Sequence, residues 1–444
     1  MSIRSGRRWV VVLALALAAL VGAACSSKSS SQGSSSATSG AVAASTSATG
    51  VTAGAIRIGF SYPDLAALAK TGVIKVDNGP YDKVIKALVD DVNERGGING
   101  RKLELFTAKY DVLSNTPQIT ACTQLTEDDK VFAVLGGFIG DNNLCVTQQH
   151  ATILVGAYSG FNQATLAKAR APWVIPGASD ERSIKALVTL LAQQGRLKGH
   201  TVAIEGQTPD SKPLVDLTVK ALDAAGTKAV STAVIDVLAS DTQAFNAQER
   251  VVAQRFRDEH ADALILVGGT PQAANYDAVG WHPSIYVPST SYVTPGAYTN
   301  PFDKFPFIGG LSVSADPDAG FNTPEMQRCR AVYKQATGID IKTQREETAL
   351  GHSTGNAAMQ AACSTMQIFV DGAKAAGKDL NQQTWLKGVE SIGRFSSPVA
   401  PVASFGPGKL DAQDTFQLEQ HDPRWKPNSN IDEFIPIGAP LTLR

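Results

Sequence analysis

The chain of 444 residues carries almost no excess charge: 40 basic side chains stand against 41 acidic ones, a formal net of −1. Nucleic-acid binders concentrate Lys and Arg to neutralise phosphates, so no nucleic acid is expected as a partner. Cysteine is scarce. Five occur, no two in CxxC spacing, and the six histidines (His150, His200, His260, His282, His352 and His421) are scattered. Protein zinc sites draw on clustered thiolates and imidazoles, so no metal is expected. There is no Walker loop and no G-x-G-x-x-G opening a helix after a strand, so no phosphate-bearing cofactor is expected either. Long apolar runs are missing as well. The continuous stretch Trp9 to Val21 falls short of the ~20 residues that a membrane-spanning helix needs.

That short stretch reads instead as part of an export signal. Arg4, Arg7 and Arg8 precede it, and the small residues Gly22, Ala23 and Ala24 follow. Cys25 comes directly after them and resembles the cysteine of a bacterial lipobox, which is diacylated and becomes the mature N-terminus; Gly22 departs from the Leu that motif prefers. Residues 26–54 are almost wholly Ser, Ala, Gly and Thr, with Lys28 the only charge. Such a composition cannot bury enough apolar surface to order itself, and as a coil it reaches roughly 30 Å. The expectation is a signal peptide over 1–25 with lipidation at Cys25, a flexible tether over 26–54, and a body held outside the cytoplasm on the membrane. The remaining cysteines, Cys122, Cys145, Cys329 and Cys363, would then meet an oxidising compartment, where an even count reads as disulfides. Three pairings are possible; Cys122 with Cys145 and Cys329 with Cys363, each local in sequence, are favoured.

The body alternates strand and helix. Ala55 to Phe60 reads as a strand, and Val84, Ile85, Leu88, Val89 and Val92 recur at helical spacing. Gly96-Gly97 ends that helix, Asn99-Gly100 turns the chain, and Lys102 to Ala108 is the next strand. Further strands are expected at 131–135, 153–155, 201–204, 229–237 and 263–267. Helices are expected over 118–127, 143–151, 212–225, 244–259 and 356–369. This alternation predicts an α/β protein with parallel sheets covered on both faces, in two series. Ligands of such sheets bind beyond the carboxyl ends of the strands.

The segment Asn93-Glu-Arg-Gly-Gly-Ile-Asn-Gly-Arg-Lys-Leu-Glu-Leu105 resembles the type I periplasmic solute-binding proteins of ABC importers, the leucine/isoleucine/valine-binding group. In that family the first helix ends in Gly-Gly-Ile-x-Gly ahead of a charged-apolar strand. The resemblance runs over the body from Ala55 onward, and Cys122 and Cys145 fall where the family often has a first-lobe disulfide. It implies two doubly wound, Rossmann-like lobes joined by a three-crossover hinge: lobe 1 over 55–176 and 312–400, lobe 2 over 177–311 and 401–444. It also implies a monomeric, non-catalytic receptor that closes on a small solute and presents it to a permease. A ligand sensor on the same fold is the alternative.

Carried over residue by residue, the resemblance implies a solute site from the loops after the strands. Asp77, Asn78 and Tyr81 stand before the first helix; Gly137, Phe138, Asp141 and Asn142 follow Leu135; Ala157, Tyr158 and Ser159 follow Val155. From the other lobe come Gln207, Thr208 and Asp210, then Thr270, and after Val287 Ser289, Thr290 and Tyr292. Family members hold a carboxylate with backbone N–H groups and a hydroxyl at the position of 157–159. Amino-acid binders place an acid at the position of Ser289 for the ammonium, so amides, small carboxylates and aromatic acids stay open beside amino acids. One motif competes: Gly351-His-Ser-Thr-Gly355 matches the G-x-S-x-G elbow of serine hydrolases. That elbow needs a buried strand in front of Ser353, whereas Arg345 to Leu350 is charged and helix-favouring, so the segment reads as a helix start.

Overall fold

A computed structural model describes residues 48–65, 79–112, 114–157, 159–237, 241–269, 272–289, 307–312, 320–350, 352–422, 424 and 434–443. Ser47 to Arg444 form one compact unit. Cys25 and the tether up to residue 47 lie outside the described residues.

The first sheet holds β1 (Ala55–Pro63), β2 (Lys102–Tyr110), β3 (Ala133–Leu135), β4 (Ile153–Val155) and β5 (Trp173–Val174), all parallel, in the order 2-1-3-4-5. The second begins with β6 (Val202–Gly206), β7 (Ala229–Val234), β8 (Ala263–Val267), β9 (Ser284–Val287) and β10 (Phe307–Ser312). These five are also parallel and repeat the same order, 7-6-8-9-10. A small ribbon pairs β11 (Arg394–Phe395) with β12 (Ala403–Ser404). Two more strands, β13 (Thr415–His421) and β14 (Phe434–Thr442), then extend the second sheet beyond β10 in antiparallel sense. The expectation of parallel pairing therefore holds for the first sheet and needs amending for the second.

The local reasons follow from the sequence. β4 (Ile-Leu-Val) and β8 (Ala-Leu-Ile-Leu-Val) are buried at every position, as strands covered on both faces must be. Helix Tyr81–Glu94 buries Val84, Ile85, Leu88, Val89 and Val92 against the first sheet. The helices expected over 118–127 and 143–151 both finish as wide π turns, Gln124–Asp128 and Cys145–Gln149. In each the closing bond spans five residues: Asp129 N–H donates to Gln124 O, and His150 N–H donates to Cys145 O. Periodicity alone does not report such a turn.

Each sheet has its own core. After β10 the chain returns to the first sheet, where helices Pro324–Thr337, Asn356–Ala376 and Gln382–Glu390 complete its cover. Met359, Cys363, Met366 and Phe369 all point into that core. Phe369 lies 6.3 Å from both Phe132 and Trp385. Gly388 allows the last two helices to touch, since a Cβ there would sit 2.2 Å from Gly372 O. Both expected disulfides are present, Cys122–Cys145 and Cys329–Cys363, and both lie within the elements that cover the first sheet.

Replacing Cys122 and Cys145 together by Ala should lower the unfolding free energy by about 3 kcal/mol, because the bridge closes a chain separation of 23 residues. Urea unfolding of the oxidised protein checks this. An unchanged midpoint would show that the bridge adds no stability.

Candidate ligand-binding site

In a 2-1-3-4-5 sheet the strand order reverses between strands 1 and 3, and a crevice opens there beyond the carboxyl ends. The chain has two such points, between β1 and β3 and between β6 and β8.

At the first, the loop after β3 is clamped from below. Ser61, on β1 and fully buried, accepts a hydrogen bond from Gly137 N–H at 2.9 Å and donates to Gly137 O at 3.2 Å. Tyr110 OH donates to the same carbonyl at 3.0 Å. Asn143 accepts from Phe138 N–H at 2.8 Å and donates to Phe138 O, Gly140 O and Ser159 O. Gln118 Oε1 accepts from Ile139 N–H at 2.9 Å. Gly136 is required at its place: its φ is +99°, and a Cβ would lie 2.1 Å from Ser61 O. Ser61, Gln118 and Tyr110 were not among the sequence candidates, and Asn143 figured only as a helix start. No local signal singles out Ser61, because β1 also carries Arg57 and continues past Ser61 to Pro63.

The expected residues fall as follows. Gly137, Ala157 and Ser159 gather at this edge, and Ser159 Oγ accepts from Gly140 N–H at 3.1 Å, tying two loops together. Tyr81 opens the first helix and stacks on Tyr62, ring centroids 5.3 Å apart. The Phe138 side chain is fully buried beside Tyr110, so it supports the loop from inside. Asp141 is exposed and pairs with Lys168 at 3.5 Å, while Asn142 donates to Asn115. On the second sheet, Thr208 caps the turn Pro209–Ser211, Asp210 is exposed, and Ser289 is half-buried just past β9. Gln207 points inward, onto Glu205 and Glu249. Asp77, Asn78, Tyr158, Thr270, Thr290 and Tyr292 lie outside the described residues.

The connections between the sheets carry a buried charge network. Ile175, just past β5, bridges to Asp411 on the strand-to-strand return, with Ala412 N–H donating to Ile175 O at 3.0 Å. Arg182, in helix Asp180–Gln193, meets Asp411 at 3.0 Å and Asp414 at 3.2 Å. Lys409 reaches Asp414 at 3.3 Å. Asp411 also accepts from Ser179 N–H and Asp414 from Ser404 Oγ. Burial, and then the neighbouring Arg182 charge, hold the Lys409 ammonium below its ordinary pKa, with Asp411 and Asp414 opposing both. Two acids and two bases thus compensate one another where the chain passes between the sheets.

Among the described residues, other candidate chemistry does not assemble. Ser353 follows helix Gln344–Leu350 rather than a strand, and Gly355 N–H donates to its Oγ just ahead of helix Asn356–Ala376. Among the described residues, two groups have metal-ligand spacing, Cys122/Cys145/His150 and Glu325/Cys329/Cys363, and the sulfurs of both are spent in disulfides. A cavity of about 790 Å³ lies at the far end of the first sheet, lined by Thr49, Lys130, His150 and Gln382 among others. It is opposite the strand tips, and two of its polar side chains are engaged: His150 with Glu127, Gln382 with Ala151 O. Among the described residues no helix is long and apolar enough to cross a membrane.

These features define an α/β protein with two sheets of the same winding. A family model described as periplasmic binding protein matches residues 55–419, and the chain belongs to that family. No curated protein sequence matches it. Among solved structures it is similar to a leucine-binding protein from Thermotoga maritima, at 13% identity and TM-score 0.58, covering 87% of this chain and 99% of that one. It is similar to an R. palustris solute-binding protein in complex with 4-hydroxybenzoate, at 16% identity and TM-score 0.58, covering 87% and 97%. A fatty acid ABC transporter substrate-binding protein from Thermomonospora curvata matches at 15% identity and TM-score 0.58, covering 89% and 94%. The shared fold is the type I periplasmic binding protein fold with its two lobes.

The Arg182→Leu variant leaves Asp411 and Asp414 with Lys409 as their one basic partner. It should lose about 3 kcal/mol of stability, the usual cost of uncompensated buried charge, read from the urea midpoint. A loss below about 1 kcal/mol, the worth of a surface pair, would show that solvent already screens the network.

Proposed function

We propose that this protein is an extracytoplasmic lipoprotein receptor that captures a small polar solute between two lobes and delivers it to an ABC transporter permease. One observation carries the reading: two sheets each contain five parallel strands in the same order, and each brings its switch-point loops to its own carboxyl edge. Lobe 1 comprises 55–176 and 312–400, lobe 2 comprises 177–311 and 401–444, and closure brings the two edges together over the solute. Lipid at Cys25 and the tether over 26–54 keep the monomeric body beside the permease.

The site consists of Asn78, Tyr81, Gly137, Phe138, Asp141, Ala157, Tyr158 and Ser159 from lobe 1, with Thr208, Asp210, Thr270, Ser289 and Thr290 from lobe 2. In this set Phe138 acts from beneath and Ser159 through the loop it ties. Hydroxyls and backbone amides suit a carboxylate or an amide, because desolvated polar groups must be satisfied by the solute. Ser289 supplies no charge for an ammonium, which leaves small carboxylates and aromatic acids beside amino acids. The similar structures fit that range, since their names specify leucine, 4-hydroxybenzoate and fatty acid.

Calorimetric titration of the mature chain with leucine, 4-hydroxybenzoate, amides and short carboxylates should give saturable one-to-one binding of at least one probe. Ser159→Ala, which frees Gly140 N–H and unties the two loops, should then weaken that affinity about tenfold and cost about 1 kcal/mol of stability, the worth of one hydrogen bond. Absence of binding throughout, or equal affinity in the variant, counts against this site. Separately, Cys25→Ser should move the protein from the membrane fraction to the soluble one; retention on the membrane would remove the anchor from the account.

A further inference from the structure

Behind the lobe 2 edge, two glutamates are buried together. Glu205 is on β6 and Glu249 on helix Thr242–Asp258, and both are fully enclosed. Gln207 Nε2 donates to Glu205 Oε1 at 2.5 Å and to Glu249 Oε1 at 2.7 Å. Tyr276 OH stands 3.3 and 3.2 Å from the same two oxygens. Asn275 donates to Glu249 Oε2, and its own oxygen accepts from Arg250 Nε at 2.9 Å. The strands flanking Glu205 present Ala233 and Leu266 in register with it. Asp277, on the same helix as Tyr276, pairs with His282 at 2.8 Å. Among the described residues no Lys, Arg or His meets either glutamate, and Arg250 is engaged on Asn275.

Two carboxylates converging on one amide nitrogen, without a base, cannot both be charged in an apolar interior. One proton has to stay between them. We propose that Glu205 and Glu249 share a single proton and together position Gln207, so that the lobe 2 loop Gln207–Ser211 is braced while that proton is held and loosened when it is lost. Gln207 is a natural point of transmission. Its N–H donates to Val267 O at 3.0 Å, its side chain ends on the acid pair, and Thr208 and Asp210 follow directly.

The sign follows from the environment. Burial first, and then the Glu249 charge, push the Glu205 carboxyl well above its ordinary value. Burial raises Glu249 too, against donors from Asn275, Gln207 and Tyr276. The folded pair therefore keeps one proton, whereas an opened or unfolded chain releases it above about pH 4.3. Protection of the braced loop is complete below that point and falls as pH rises, levelling only once the native pair itself ionises. The effect on a solute rests on the receptor reading above; the brace does not, because it is measured without solute.

The test is amide hydrogen exchange of segment 206–212 in the mature, solute-free chain from pH 5 to 10, corrected for the intrinsic rate. Wild type should lose protection by about tenfold per pH unit over part of that range, one proton per opening. Glu205→Gln, which imitates the protonated acid, should give a flat profile. Should that variant fold poorly, Glu249→Gln removes the like charge while Glu205 stays buried, so the profile should keep its slope but level at a lower pH than wild type. A flat wild-type profile, a Glu205→Gln variant that keeps the wild-type slope, or a Glu249→Gln variant that levels where wild type does overturns the proposal. A sloping profile in a protein that binds none of the titrated solutes would leave the brace standing and remove the receptor reading.

Discussion

Parallel strands cannot be joined by hairpins, so after each one the chain must travel back over a face of the sheet before the next can pair. That single requirement arranges most of this molecule. It places helices such as Tyr81–Glu94 and Asp180–Gln193 on the sheets, makes β4 and β8 apolar throughout, and sends every outgoing loop to the same end. Because both sheets wind in the order 2-1-3-4-5, each acquires one reversal point and one crevice. The proposed solute site is then a consequence of topology, and its side chains would decide only what it accepts.

Dividing the chain between two cores creates a second requirement, for connections that hold without welding the halves together. The residues around Ile175 and Asp411 meet it with a short backbone bridge and a compensated charge network of Arg182, Lys409, Asp411 and Asp414. Directional, charge-assisted bonds hold a fixed register, whereas an apolar interface would tolerate sliding. Both disulfides lie away from this connection, inside the cover of the first sheet, so neither ties one sheet to the other.

What could be read before the structure was whatever repeats along the chain. The run Ala263–Val267, the helical spacing of Val84 to Val92 and the core face of Met359, Cys363, Met366 and Phe369 all announce themselves locally. The disulfide partners were also readable, being near in sequence. β13 was not, because Gln417, Glu419 and His421 are buried in it and interrupt the apolar pattern. Nor were the clamps of the site. Asn143 makes sense only beside Phe138 and Ser159, and Glu205 reads as a surface residue until Glu249 and Tyr276 are folded against it. Long-range polar pairing leaves no periodic trace.

Burying polar groups is costly wherever they are unpaired, and this protein handles the cost in three ways. The loop after β3 is fixed by neutral partners, Ser61, Tyr110, Gln118 and Asn143. The connection between sheets uses opposite charges in equal number. The loop after β6 leans on two like acids, Glu205 and Glu249, which on our proposal coexist by keeping one proton. Amides and aliphatic hydroxyls do not titrate, and the balanced network keeps a basic partner for each acid. A pH-sensitive element is therefore expected, on the proposal above, at the loop after β6 that carries Thr208 and Asp210.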